Sequence, residues 1–177
     1  MVAVSEGVAI RPATRKDVPA ILVIYNAATQ EPASAYEDTP HTLSQREEWF
    51  DHFSNRNFPI MVAEWDGIVV GWCSLGPHQE RSGFRFTGSA AVYVDKLYRR
   101  RGVGGQLLEA ILEAGRQRKL HTVLAVVDSE NEPSLKLHKE HGFIQAGVLR
   151  EAGCKFGEWR DVIYLLYHLD DRPAPEA

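Results

Sequence analysis

Residues 89–115, SAAVYVDKLYRRRGVGGQLLEAILEAG, decide the fold because a strand, a glycine turn and a helix follow one another in them. The apolar run predicts a strand over Ser89–Asp95. The turn is Arg99–Gly105. Apolar residues then recur at helical spacing and predict an amphipathic helix that ends near Arg118. These residues are Val103, Leu107, Leu108, Ile111 and Leu112.

The turn Arg99–Gly105 has the features of an anion site. Glycines let the backbone approach a ligand, the following helix offers unpaired N–H groups, and Arg100 and Arg101 add cationic donors. A ligand that carries pyrophosphate is therefore expected. The turn matches neither the Walker A nor the GxGxxG pattern. On the turn alone, glycines that merely end a strand beside solvated arginines fit the residues equally well.

Turn and cap signals divide the residues before this stretch into two strands of a hairpin, one earlier strand and two helices. Asp66-Gly67 is the predicted hairpin turn, and Thr42-x-x-Gln45 is a capping box. The predicted elements are a strand at Val8–Arg11, a helix after Thr14, a helix after Thr42, and strands at Pro59–Trp65 and Ile68–Leu75.

The residues after the long helix predict a parallel strand and a closing strand pair. Thr122–Val127 is a buried strand that needs the crossover helix before it, so it pairs in parallel. A short helix runs from Pro133 to Gly142. The last strands are predicted at Phe143–Leu149 and Val162–Leu169. This order predicts an α+β fold with a mixed sheet that helices cover on both faces.

Composition limits the class of protein. The 177 residues suit one domain, predicted at 8–170 with flexible termini at 1–7 and 171–177. A net charge of −4 argues against nonspecific nucleic-acid and membrane partners. Without an export signal or a long apolar run, the predicted location is the cytoplasm. Cys73 and Cys154 are interpreted as reduced core thiols, although a disulfide between them stays possible on the sequence.

Two motifs in order resemble the GNAT superfamily of N-acetyltransferases. Arg99-x-x-Gly102-x-Gly104 is similar to its first cofactor signature, and Asn131 to Phe143 is similar to its second cofactor segment. Four further stretches resemble the phosphinothricin and methionine sulfoximine acetyltransferase branch, and the last of them is specific to it. They are Tyr36-x-x-Thr-Pro40, Gly83-Phe-Arg-x-Thr87 with Val92-Tyr-Val94, Leu137-His138 and Lys155-Phe-Gly-x-Trp159-x-Asp161.

The resemblance implies a GNAT-like fold with a V-shaped splay between two central parallel strands, where acetyl-CoA enters as co-substrate. The pantetheine arm would add to the backbone of Val92, Tyr93 and Val94 like an extra strand. The cofactor-binding residues predicted beside these three are Arg100, Arg101, Gly102, Val103, Gly104, Gly105, Asn131 and Ser134.

His138 is the first candidate for acid–base catalysis, because the branch has a histidine at this helix position. Amine acetylation needs a neutral nitrogen, and protonation helps the CoA thiolate to leave. His138 and His141 lie one turn apart, but no third ligand is spaced nearby, so no metal is expected.

Two departures from the branch concern the acceptor. The branch carries a glutamate as its presumed base where this chain has Ser89, which is itself no base near neutral pH. Ser89 could relay a proton through water to Asp38, Glu37 or Glu80, or His138 could take a larger share. The branch also has Trp followed by Arg or Lys where this chain has His78-Gln79, which puts phosphinothricin in doubt as acceptor. The predicted acceptor-pocket residues are Tyr36, His78, Gln79, Arg81, Phe84, Ser89, Ala90, Ala91, Lys155 and Trp159.

The sequence thus predicts a small-molecule N-acetyltransferase whose acceptor is the primary amine of an amino acid or analogue. Two alternatives are a CoA-binding module with weak or no catalysis and a protein N-terminal acetyltransferase. The resemblance also implies a homodimer that pairs through the late strands, for which the apolar run Val162–Leu169 is suited.

Overall fold

The computed structural model describes residues 7–175, which form seven strands and four α-helices. The predicted termini fall partly outside these residues, so the bounds 8–170 stay a prediction. No helix in the described part of the chain has the length and apolarity needed to cross a membrane. In chain order the elements are β1 Val8–Pro12, α1 Val18–Thr29, α2 Leu43–Asn55, β2 Ile60–Trp65, β3 Ile68–Pro77, β4 Thr87–Val94, α3 Val103–Gln117, β5 Thr122–Asp128, α4 Glu132–Glu140, β6 Ile144–Lys155 and β7 Glu158–His168.

One mixed sheet has the strand order β1-β2-β3-β4-β5-β7-β6. β4 and β5 are parallel and every other neighbouring pair is antiparallel. α3 joins β4 to β5, the only parallel pair in the described sheet, because two parallel strands need a crossover connection between them. The predicted mixed sheet is confirmed.

Helices cover both faces, as predicted. On one face α3 buries Val103, Leu107, Leu108 and Ile111 against β3 and β5. Leu135 and Leu137 of α4 also pack against this core. On the other face α1 and α2 pack against Val62 and Trp72. The "cofactor face" below is the α3–α4 face, and the "acceptor face" is the α1–α2 face.

The last two strands differ from the prediction. β6 extends to Lys155 and β7 begins at Glu158. The residues between the two predicted strands therefore form the end of a long hairpin, which turns at Phe156-Gly157. Residues 150–154 hid this extension, because a bulge between Leu149 and Gly153 breaks the alternation of apolar and polar residues.

The two cysteines also differ from each other. Cys73 is buried, as predicted, but Cys154 is exposed, so the interpretation of both as core thiols is wrong for Cys154. Both are free, and the hairpin places Cys154 on an edge strand whose outer positions face away from the core.

Candidate active site

β4 and β5 separate in the middle of the sheet. They pair from Thr87–Thr122 to Ala90–Ala125, whereas residues 91–94 and 126–128 pair only with the outer neighbours β3 and β7. This is the predicted V-shaped splay. Strand edges that face an opening can hydrogen-bond an extended ligand through backbone groups. The predicted pantetheine residues 92–94 line the opening on its β4 side, where the Val94 carbonyl accepts a hydrogen bond from Nε of Arg99 at 3.1 Å.

The first turn of α3 lies beside this opening. Its N-cap, Gly102, has a φ of +80°, a left-handed conformation that favours glycine. A Cβ on Gly104 would lie 3.2 Å from the Leu137 side chain, and a Cβ on Gly105 would lie 3.1 Å from ring atoms of His141. The glycines therefore let α4 pack closely against the N-terminus of α3, where the unpaired N–H groups and the positive end of the helix dipole favour an anion.

The other predicted anion-binding residues of this turn have different surroundings. Arg100 and Arg101 are exposed. The guanidinium carbon of Arg101 stands 5.5 Å from the ring centroids of both Trp65 and Tyr98, which orients it. The Val103 side chain is buried in the core, so only its amide can face a ligand.

Asn131 caps the N-terminus of α4. Its Oδ1 accepts a hydrogen bond from the Ser134 amide at 3.2 Å, and its Nδ2 donates to the Ala33 carbonyl at 2.9 Å. Both ends of the side-chain amide are thus engaged within the protein. Asn131 therefore caps α4 and binds the backbone of residue 33, whereas the sequence predicted that it contacts the cofactor.

His138 is buried on the cofactor face, packed edge-on against Phe143 at 5.0 Å between ring centroids. Its Nδ1 lies 2.8 Å from the Ser134 carbonyl and 3.4 Å from the Ser134 hydroxyl. A carbonyl only accepts, so Nδ1 carries the hydrogen. Burial lowers the pKa of His138, His141 lowers it further, and the Ser134 carbonyl opposes the change. His138 is therefore a neutral imidazole whose Nε2 accepts a proton before it can donate one.

A segment between α1 and α2 crosses the open ends of β4 and β5. This strap is residues 31–36. Arg99, beside the end of β4, pairs with the Glu31 carboxylate at 2.7 and 3.0 Å. The Tyr36 hydroxyl donates to Asp128 at the end of β5 at 2.8 Å. The strap therefore spans the mouth of the splay and is fastened on both sides.

Lys155 fastens the strap from β6. The side chain is 2% exposed, and its amine donates to the Glu31 carbonyl at 2.8 Å and to the Ala35 carbonyl. Burial lowers the pKa of Lys155, against the attraction of nearby carboxylates. Lys155 was predicted to bind the acceptor; its amine is engaged by the strap.

A buried ion pair supports the strap from below, and the sequence did not single it out. Arg160 donates to both carboxylate oxygens of Asp128 at 2.8 Å and to Glu130 at 2.8 Å. Burial raises the pKa of Asp128, but hydrogen bonds from Arg160, the Glu130 amide and Tyr36 outweigh burial and leave it lowered. Asp128 is therefore ionised. In the sequence, the one signal for Asp128 was its position directly after the predicted buried strand Thr122–Val127.

The two faces of β4 separate the residues predicted there. Gly88 faces α3, since a Cβ on it would meet Leu75 and Leu120, and Ala90 and Val92 pack on the same side. Because side chains alternate along a strand, Ser89 and Ala91 face the acceptor side with Tyr93. Ala90 therefore lies away from the side where it was predicted to contact the acceptor.

The loop before β4 carries four of the predicted acceptor residues. The rings of His78 and Phe84 contact each other edge-on at 5.5 Å. Gln79 and Arg81 are exposed. Trp159, predicted to border the pocket, is 69% exposed near the hairpin turn. The described structure brings His78 and Phe84 together and leaves Gln79, Arg81 and Trp159 open to solvent.

No three His, Cys, Asp or Glu side chains within residues 7–175 lie close enough together to hold a metal ion. The residues present fit a cofactor with an extended arm and a pyrophosphate, because a splayed strand edge lies beside the N-terminus of a long helix.

Comparison with known proteins agrees with this geometry. Residues 21–143 match the family model described as the acetyltransferase (GNAT) family. An L-methionine sulfoximine/L-methionine sulfone acetyltransferase of Pseudomonas paraeruginosa is 39% identical over 94% of this chain and 98% of its own length.

Two solved structures are also similar. A Salmonella typhimurium protein described as an acetyltransferase, solved with its cofactor acetyl-CoA, has a TM-score of 0.93 and 31% identity over 97% of this chain and 99% of its own. A ribosomal-protein-alanine N-acetyltransferase of Brucella melitensis has a TM-score of 0.88 and 37% identity over 90% and 99%.

Proposed function

Because this chain belongs to the acetyltransferase (GNAT) family and a similar structure was solved with acetyl-CoA, we propose that it acetylates the primary amine of a small amino acid or amino-acid analogue. The observation that carries the proposal is the splay between β4 and β5 beside the N-terminus of α3. The strap narrows the entrance to this splay, which favours a small acceptor over a polypeptide.

The residues that hold acetyl-CoA in this proposal are the backbone of 92–94, the amides of 102–105 and the side chains of Arg100 and Arg101. When bound, acetyl-CoA supplies an activated acetyl thioester to the amine. The backbone donors of β4 are fixed in place by the sheet, so they stabilise developing negative charge without reorganising.

His138 moves a proton on the cofactor face in this proposal. Its neutral Nε2 takes up a proton that the nitrogen releases as the amide forms, and returns it at the sulfur. The Ser134 carbonyl holds Nδ1–H and so fixes the ring. Ser89 and Ala91 border the acceptor nitrogen from the opposite face, with the Ser89 hydroxyl as a hydrogen-bonding group.

The test is release of free thiol from acetyl-CoA with methionine sulfoximine, methionine sulfone, phosphinothricin and an alanine-terminated peptide. We expect turnover with the small acceptors and none with the peptide. Turnover with the peptide alone would favour the protein N-terminal acetyltransferase. Thermal stabilisation by acetyl-CoA without turnover on any amine would favour the CoA-binding module.

We also propose a homodimer. Within the predicted surface, residues 162–169, the side chains of Val162, Ile163 and Leu165 are buried inside the chain, because β7 lies between β5 and β6. The edge strand β6 instead exposes Ile144, Val148 and Leu149. Light scattering should give about twice the chain mass of 19.9 kDa. Leu149→Asp should give the monomer, and Ile68→Asp, at another exposed apolar residue, should not; a monomeric wild type would refute the dimer.

The proposed location is the cytoplasm, because a buried and an exposed cysteine are both free and a reducing compartment keeps them so. Cell fractionation tests this location, and recovery of the protein outside the cytoplasmic fraction would refute it.

A further inference from the structure

The acceptor face has no base on its strand, since Ser89 stands there. The sequence offers three carboxylates as candidate proton acceptors: Asp38, Glu80 and Glu37. Glu80 is engaged in a two-bond pair with Arg56 at 2.8 and 2.9 Å. Asp38 is exposed. Glu37 has different surroundings from both.

Glu37 lies at the end of a directed hydrogen-bond chain. Nη2 of Arg46 lies 2.9 Å from Nδ1 of His41, and Nε2 of His41 pairs with Oε2 of Glu37. A guanidinium only donates, so Nδ1 of His41 accepts, and Nε2 carries the hydrogen that Glu37 receives. These hydrogen bonds orient the Glu37 carboxylate.

Two side chains from the flanking helices hold His41 in place. Asn26 of α1 pairs with the backbone of His41 through both ends of its amide, at 2.9 Å each. Arg46 of α2 is 3% exposed, and its guanidinium carbon stands 3.9 Å from the Tyr25 ring centroid and 4.7 Å from that of Trp49. His41 therefore has a fixed ring orientation on an otherwise irregular segment.

Glu37 lies against the acceptor face of β4. It directly follows Tyr36, whose hydroxyl reaches the end of β5. The Tyr25 ring contacts His41 at 5.0 Å and Tyr93 of β4 at 5.4 Å. Burial raises the pKa of Tyr25, and the charge of Glu37 raises it further. Tyr93 shares its strand face with Ser89 and Ala91, so Glu37 lies on the same side of β4 as the position that lacks a base.

We propose that Glu37, oriented by His41 and Arg46, is the base that takes the proton from the acceptor ammonium. This rests on the proposed function. Glu37 accepts one proton from nitrogen and leaves the lone pair free. The N–C bond then forms, the C–S bond of the acetyl thioester breaks, and the electron pair leaves with sulfur. The second nitrogen proton reaches the sulfur through His138, and Glu37 returns its own proton to water.

Glu37 and His138 serve different protons because they lie on different faces of the sheet. The titratable or charged groups around Glu37 are His41 on its own segment, Tyr25 of α1, Arg46 of α2 and Tyr93 of β4. Removal of Glu37 therefore affects formation of the free amine, which a higher pH achieves without a base. An aliphatic amine has a pKa of about 10, so the free amine is scarce near neutral pH.

The experiment compares Glu37→Gln with the wild type in kcat/KM for the best acceptor between pH 7 and 9.5. We expect a loss of about 100-fold or more at pH 7, in the range of a lost general base, that shrinks at least about tenfold by pH 9.5. Asp38→Asn, the neighbouring carboxylate, should stay within about twofold of wild type at every pH. The dissociation constant of acetyl-CoA should not change in either variant.

A second substitution, Ser89→Glu, is then added to the Glu37→Gln variant to test whether it restores activity. It places a carboxylate on the strand and should recover at least about tenfold of the loss at pH 7. If the wild type is active and Glu37→Gln has the same kcat/KM, this inference is overturned and the proposed function stands. A loss of kcat/KM that is equal at every pH would also overturn it, because a purely structural role gives that result. Failure of Ser89→Glu to restore activity would refute the claim that Glu37 replaces a strand carboxylate. A wild type inactive on every acceptor would overturn the proposed function with it.

Discussion

The two faces of the sheet recognise their ligands in different ways. On the cofactor face the groups are mainly backbone, at the strand edge of 92–94 and the amides of 102–105, and they are open to a ligand. On the acceptor face the groups are side chains whose polar atoms are already bound within the protein. Arg46 holds His41, and Lys155 holds the strap.

This difference indicates that the side chains of the acceptor face determine substrate specificity. A backbone cradle depends on glycines and strand geometry, so many sequences form it. An acceptor pocket whose polar side chains are mostly bound within the protein presents fewer groups to its ligand, here the oriented Glu37 carboxylate and the loop 78–84. Changes to paired side chains should therefore alter stability, and changes to open groups should alter binding or rate.

The largest expected effect tests the cofactor face. His138→Ala should lower kcat by about 10²–10⁴, the range for a lost acid–base group, with the acetyl-CoA dissociation constant unchanged. Stopped-flow or steady-state kinetics with calorimetry measures both. Lys139→Ala, its exposed neighbour, is the control and should keep wild-type kcat. Full activity of His138→Ala would refute the acid–base role assigned to this histidine.

The next effect tests whether the paired charges are structural. Asp128→Ala leaves Arg160 buried without its main partner and should lower the free energy of unfolding by about 3–5 kcal/mol in urea. Glu158→Ala removes an exposed carboxylate 3.6 Å from the same guanidinium and should cost about 0–1 kcal/mol. Equal costs for the two variants would contradict the distinction between paired and open groups.

A smaller effect tests one arginine of the glycine turn. Arg100→Ala should weaken acetyl-CoA binding about two- to fivefold, because an exposed ion pair contributes about 1 kcal/mol or less, and salt should reduce the difference. Arg150→Ala on β6 changes the net charge equally and is the control. A binding loss of the same size in the control would show a general charge effect in place of a site.

The smallest effect concerns the acceptor loop. Gln79→Arg should lower KM for phosphinothricin about two- to threefold and leave KM for methionine sulfone unchanged, because an exposed cation attracts the more acidic acceptor. Gln79→Met is the matched control of similar length. An equal change in KM for both acceptors would place Gln79 outside the pocket.

The cofactor face was largely predictable because its signals are local. The glycine turn, the strand before it and the amphipathic helix after it lie within residues 89–117, and the structure has all three there. The resemblance added the splay, which the register of β4 and β5 confirms. His138 was found by motif, although its neutral state depends on burial that the sequence does not contain.

The acceptor face was less predictable because its partners are distant along the chain. Lys155 was assigned to the acceptor from its motif, but its amine binds carbonyls of residues 31 and 35. Asn131 donates to Ala33 in the same way. The hairpin of β6 and β7 brings these pairs together, and a bulge concealed the length of β6 from the sequence pattern.

The buried amine of Lys155 has a consequence for the enzyme's own integrity. A protein that binds an activated acyl donor exposes its own lysines to modification, and a lowered pKa raises the fraction of a lysine amine that is neutral and nucleophilic. Lys155 combines that reactivity with 2% exposure and bonds to two carbonyls. The strap thus shields the one amine whose self-acylation would unfasten it.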